Sequence, residues 1–200
     1  MTHPATIASA QAEADTRRWL ERAVIGLNLC PFAKAVHVKA QVHYAVYEPA
    51  EEADLMDALL AEAKDLAALD AAVRDTTLLI APNTLADFLD FNDFTARAER
   101  RLARAGFDGV FQLASFHPRF QFAGTDADDI GNATNRAPYP TLHLLREDSV
   151  SRAVKAFPEA EAIFERNIDT LEALGPEGWA ALDIGPGSAK PLTRTTRQEP

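Results

Sequence analysis

The chain has one cysteine, Cys30, so no intrachain disulfide can form, and a lone thiol fits a reducing compartment. It has no apolar run long enough to span a bilayer. The longest, Ala23 to Ala35, is broken by Asn28, Pro31 and Lys34. Near the N-terminus Glu13, Asp15, Arg17, Arg18, Glu21 and Arg22 interrupt any apolar stretch, so no secretory signal is expected. An excess of basic residues is absent too. The formal net charge of −10 repels nucleic acid and anionic membranes at long range, and neither is expected as a partner. There is no internal repeat and no heptad pattern. No glycine-rich dinucleotide fingerprint follows a strand, and Gly185-Pro186-Gly187-Ser188-Ala189-Lys190 lacks the spacing of a phosphate-binding loop, so no cofactor is named. A soluble, cytoplasmic protein is the expectation.

What is present is an ordinary globular composition. With 47% hydrophobic and 25% charged residues, 200 residues suffice for one filled core, and a single domain over residues 1–184 is expected. From Gly185 onward Gly, Pro, Thr and charge dominate, so residues 185–200 read as a disordered tail.

The periodicities give an order of elements. Leu20, Val24 and Leu27 form one stripe of a helix from about Ser9 to Leu29, which Pro31 ends. Val36, Val38, Ala40, Val42, Tyr44 and Val46 alternate with polar residues and predict a strand. Pro49 and the acids after it start a helix striped by Leu55, Leu59, Ala63 and Leu66. Thr76 to Ala81 is apolar without alternation, which suits a central strand covered on both faces. Thr84 with Asp87 resembles a capping box for a helix that Gly106 closes. Gly109 to Phe116 and Thr141 to Arg146 predict two more strands. Ser149 then caps a helical region that Pro158 splits and Gly175 ends. The order α-β-α-β-α-β-β-α predicts one layered α/β or α+β domain, with a mixed sheet of about four strands flanked by helices.

Between the last two strands, residues 116–146 gather the polar side chains that carry chemistry. His117 follows an apolar strand directly, where loops commonly hold catalytic groups on a rigid scaffold, and its pKa near 6.5 suits a general acid or base. Arg119, Arg136 and Arg146 offer rigid donor forks for carboxylate or phosphate, and Asn132 and Asn135 add neutral donors. The alternative is that these groups tie down a long loop whose backbone needs partners. His143 falls inside the fourth strand, either as a ligand contact or as a buried, hydrogen-bonded histidine. Cys30 is a candidate nucleophile if a histidine folds against it. Against that, it stands at the negative end of the first predicted helix, which raises a thiol pKa, and small buried hydrophobe is the competing role. The run Asp126 to Asn132 fails as a calcium loop, because Ile130 takes a ligand position and Ala137 stands where the closing glutamate belongs; a solvated acidic loop with no metal is expected, the alternative being a weaker site of one of these aspartates with His117 or His143.

Two family likenesses bear on this. The element order and Tyr139-Pro140-Thr141-Leu142 are similar to thioredoxin-like proteins. Glu48, Pro49 and Ala50 stand where that family carries its cysteines, so no redox function is implied. Taken together, Gly26-Leu27-Asn28-Leu29-Cys30-Pro31-Phe32-Ala33, Phe116-His117-Pro118, Thr134-Asn135-Arg136-Ala137-Pro138-Tyr139-Pro140 and His143-Leu144-Leu145-Arg146 resemble a bacterial family known as domain of unknown function fourteen-fifteen. That resemblance runs roughly from Thr16 to Gly175. It implies one domain and singles out those segments, but implies no particular chemistry.

Two functional expectations follow. The first is an enzyme acting on a small anionic metabolite, with His117, and Cys30 if it converges, doing chemistry and the Arg and Asn side chains holding the anion. The alternative is a non-catalytic anion sensor or protein-interaction module that uses the same donors.

Overall fold

Residues 7–156 and 162–187 are described in a computed structural model of the chain. Helix α1, Ser9–Trp19, runs on into a wider π-helical stretch, Leu20–Ile25. Then come α2 (Ala33–Val38), β1 (Val42–Val46), α3 (Leu55–Ala68), β2 (Thr76–Ile80), α4 (Phe88–Leu102) and β3 (Phe111–Phe116). A 3-10 helix, Ile130–Asn135, interrupts the polar segment before β4 (Thr141–Arg146), α5 (Glu147–Ala156) and α6 (Ile163–Ala181).

The four strands form one open mixed sheet in the order β1-β2-β4-β3. β1 and β2 are parallel, and β4 is antiparallel to both β2 and β3. Because β4 lies between β2 and β3, those two run parallel with a strand's width between them. Every residue of β2 is buried, as its unbroken apolar run requires of a strand covered on both faces.

Each face of the sheet has its own core. On one, Leu79, Leu142 and Leu144 meet α3 and α4 through residues such as Leu55, Leu59, Phe91 and Phe94. On the other, Tyr44, Leu78 and Ile80 meet the N-terminal helix through Trp19, Leu20, Ala23 and Val24. A third cluster joins Leu29, Ala133 and Leu171, seating α6 on the 3-10 helix.

Four sequence expectations are corrected. The valines at 36 and 38 belong to α2, and the strand starts only at Val42; Ala40, at φ 55°, makes the turn between them. Period-two valines fit one short helical turn as well as a strand start, and local spacing cannot separate them. The N-cap of α4 is Asp87, whose carboxylate accepts from the Leu89 and Asp90 amides, and Thr84 takes no part in that cap. Ser149 lies inside α5, which begins at Glu147. The last helix does not end at Gly175. It kinks there, at φ 67° with Pro176 next, and continues to Ala181. The split expected at Pro158 falls on residues 157–161, outside the described residues.

Of the expected tail, residues 185–187 lie against α1. Arg18 donates to the Gly185 carbonyl, and the Gly187 amide donates to Asp15. The remainder, 188–200, is outside the described residues.

A candidate ligand cavity beside the sheet

Alternation along the strands sends Thr76 and Leu78 on β2, Ala114 and Phe116 on β3, and His143 and Leu145 on β4 to the face that meets the N-terminal helix. Between these side chains and α1, α2 and α5 lies a cavity of about 630 Å³. Trp19 and Val24 wall it from the N-terminal helix, Cys30 and Ala33 from the turn into α2, and Val150 and Ala153 from α5. Trp19 packs on Phe116 with ring centroids 5.0 Å apart, and Phe116 lies 6.1 Å from the His143 ring.

The cavity therefore brings together two of the side chains expected from sequence, His143 and Cys30. Burial holds the His143 pKa down at about 4, so the ring is neutral near neutral pH. Its Nε2 lies 2.6 Å from the Thr76 hydroxyl. Cys30 precedes α2, and the backbone amides of Phe32 and Ala33 face its sulfur. Burial outweighs those amides and pushes the thiol pKa up, so the cavity wall carries a thiol.

Arg146 borders the cavity, but its side chain crosses to the α3 side of the sheet. Its guanidinium donates to the Leu66, Leu69 and Arg74 carbonyls and closes the C-terminal end of α3.

The other five lie in the polar segment, outside the cavity wall. His117 is buried between Phe88 and Phe91. Its Nδ1 accepts from the Arg119 amide, which places the ring proton on Nε2, and that nitrogen donates to the Leu85 carbonyl at 3.1 Å. Both nitrogens thus have backbone partners, and the second holds Leu85 at φ 55°. Burial lowers the His117 pKa, with the Leu85 bond opposing. Arg119 donates to the Ala86 carbonyl and lies 3.5 Å from Asp87. Asn132, fully buried, accepts from Phe122 and Thr125 and donates to the Asp126 carbonyl. Asn135 donates to the Ser115 carbonyl. Asp129 caps the 3-10 helix through the Gly131 amide. Among the described residues no group of three His, Cys, Asp or Glu side chains could hold a metal ion.

Arg136 shows what these donors do for the fold. Its Nε donates to the Phe120 carbonyl and its Nη2 to Ala127, and burial lowers its pKa. Arg136→Ala is expected to lower the ligand-free melting midpoint by roughly 4–8 °C, for about 2 kcal/mol lost with two charge-assisted bonds. Scanning calorimetry checks this, and an unchanged or raised midpoint would show that the guanidinium does not secure the loop.

Sequence reasoning missed Thr76, Trp19 and Phe116 as cavity residues. β2 opens on two threonines, Thr76 and Thr77, and only the alternation of its faces, not the sequence, separates the one that lines the cavity from the one that does not. Trp19 and Phe116 carry no signal that distinguishes a cavity wall from ordinary core.

An α+β domain with a cavity of ligand size against its sheet is the class that this fold and site define. The chain belongs to the family described as Protein of unknown function (DUF1415), whose model matches residues 11–181. No curated protein and no solved structure matches it. Among the described residues no helix is long and apolar enough to cross a membrane.

Proposed function

We propose that this protein binds a small, mainly apolar molecule in the cavity between the sheet and helices α1, α2 and α5. The observation that carries the proposal is the cavity itself. It is a cleft open to solvent on one side, and its volume of about 630 Å³ falls in the range of small-molecule sites. Its walls are largely apolar and keep alanine at Ala33, Ala114 and Ala153, where a larger side chain would fill the space.

The geometry favours an uncharged ligand here over an anion held in the 116–146 segment. Arg119, Arg136 and Arg146 already donate to backbone carbonyls, and an anion would have to displace those bonds. No reaction is assigned to the cavity.

Ethylbenzene tests the proposal as an apolar probe. At about ten times its dissociation constant it is expected to raise the melting midpoint of the parent by roughly 3–6 °C. Ala114→Leu and Ala153→Leu, which fill the cavity from opposite walls, are expected to abolish the shift. A parent that does not respond, or filled variants that respond as the parent does, would overturn the proposal.

A further inference from the structure

The pairing of Thr76 with His143 decides what a ligand in this cavity must carry. A threonine hydroxyl has one hydrogen to give and lone pairs to receive with. Thr76 Oγ1 gives that hydrogen to the Leu144 carbonyl at 2.6 Å. The same oxygen lies 2.6 Å from His143 Nε2, so at this contact the oxygen accepts and Nε2–H donates. The neutral ring has a single proton, which leaves Nδ1 with a lone pair and no hydrogen.

Among the described residues nothing donates to Nδ1, and the ring lines the cavity. Its neighbours there are apolar. Leu78 is its register partner on β2, Ala114 its partner on β3, and the Phe116 ring stands beside it. Nδ1 is reachable from solvent through the cavity, and a ligand donor seated among these apolar groups would meet it there in a drier setting, where a hydrogen bond counts for more. Burial reinforces the arrangement by keeping the ring uncharged.

We propose that the cavity selects neutral ligands that carry one hydrogen-bond donor on an apolar body, such as a phenol or an alcohol, with the donor directed to His143 Nδ1 and Thr76 fixing the tautomer. This rests on the reading of the cavity as a ligand site. Ethers bring only lone pairs to a lone pair. Carboxylates do the same and must also shed their hydration. Thr76 is a positioning residue: it acts on the ligand only by deciding which nitrogen of His143 holds the proton.

Three probes of matching shape test this on the full chain by calorimetric or nuclear magnetic resonance titration. 4-Ethylphenol is expected to bind about tenfold more tightly than ethylbenzene, and 4-ethylanisole no more tightly than ethylbenzene. In His143→Phe the advantage of the phenol is expected to vanish while ethylbenzene still binds. Long-range proton–nitrogen correlation in the unliganded parent reads the tautomer without any variant. Nε2–H is expected for His143, and a mixture in Thr76→Val. Equal affinity for 4-ethylphenol and ethylbenzene, or an Nδ1–H tautomer in the parent, would overturn the donor selection and leave the cavity standing as a ligand site. Failure of all three probes to bind would overturn the cavity reading and this inference together.

Discussion

Asp15→Asn is expected to lower the melting midpoint by roughly 6–20 °C, the consequence of losing about 3–5 kcal/mol when one partner of a buried charge pair is removed. Asp15 is fully buried on α1, and four donors meet its carboxylate. Oδ1 accepts from Arg18 at 2.5 Å and from Gln11 at 2.9 Å. Oδ2 accepts from the Tyr139 hydroxyl at 2.7 Å and the Gly187 amide at 2.9 Å. An amide in this place turns one acceptor into a donor that faces donors. It also leaves the Arg18 guanidinium, only slightly exposed, without its anion.

The same carboxylate joins three regions distant in sequence: α1, the turn into β4, and the segment after α6. Arg18 and Arg22 extend the contact by donating to the Asp183 and Leu182 carbonyls. Burial pushes the Asp15 pKa up, and the bonds from Gly187, Tyr139, Arg18 and Gln11 more than reverse this, leaving it below the ordinary value. A carboxyl whose folded pKa is depressed gives its full stabilisation above the unfolded pKa and loses it as the pH falls through the folded value. Melting curves of the variant followed by circular dichroism decide the matter; a midpoint within about 2 °C of the parent would show that the network contributes little.

The second large effect is the acid response of His143. Its folded pKa of about 4 lies below the unfolded value near 6.5, so below pH 6.5 the unfolded chain takes up a proton that the folded chain refuses. The stabilisation is complete above pH 6.5, falls as the pH drops, and is gone below about 4, a loss of about 3 kcal/mol for a gap of this size. His117 and His43 are also held below the ordinary histidine range by burial, and they add to the slope in the same direction. Denaturant unfolding of the parent and of His143→Gln at pH 6.5 and 4 isolates the His143 share. The parent is expected to lose about 3 kcal/mol more than the variant over that interval. Equal losses would show that the ring is protonated in the folded protein as readily as in the unfolded chain.

How much of this was legible in the sequence depends on the range of the interaction. The uninterrupted run from Thr76 to Ile80 announced a strand covered on both faces, and the Leu55, Leu59, Leu66 stripe announced α3, because burial imprints its period on neighbouring residues. The sheet order β1-β2-β4-β3 leaves no such imprint, since a strand's spacing is the same beside either neighbour. The polar segment was legible as a place rather than as a purpose. Arg136, Asn132 and Arg146 have the donor chemistry of an anion site and use it on Ala127, Asp126 and Leu66 carbonyls. A guanidinium looks the same in sequence whether its acceptor is a ligand or the chain. His143 could be placed on the fourth strand from sequence, but its contact with Thr76, 67 positions away along the chain, could not.

The placement of β4 has a consequence for how the molecule is made. β2 and β3 run side by side without touching, and the strand that joins them is the last of the four to leave the ribosome. Until residues 141–146 have emerged, β2 lacks the partner of its second edge and β3 lacks any hydrogen-bonding neighbour. The sheet therefore cannot be completed before β4 has joined, like an arch that waits for its keystone. A nascent chain stalled before Thr141 offers its Leu78, Leu79 and Ile80 edge to whatever strand comes first.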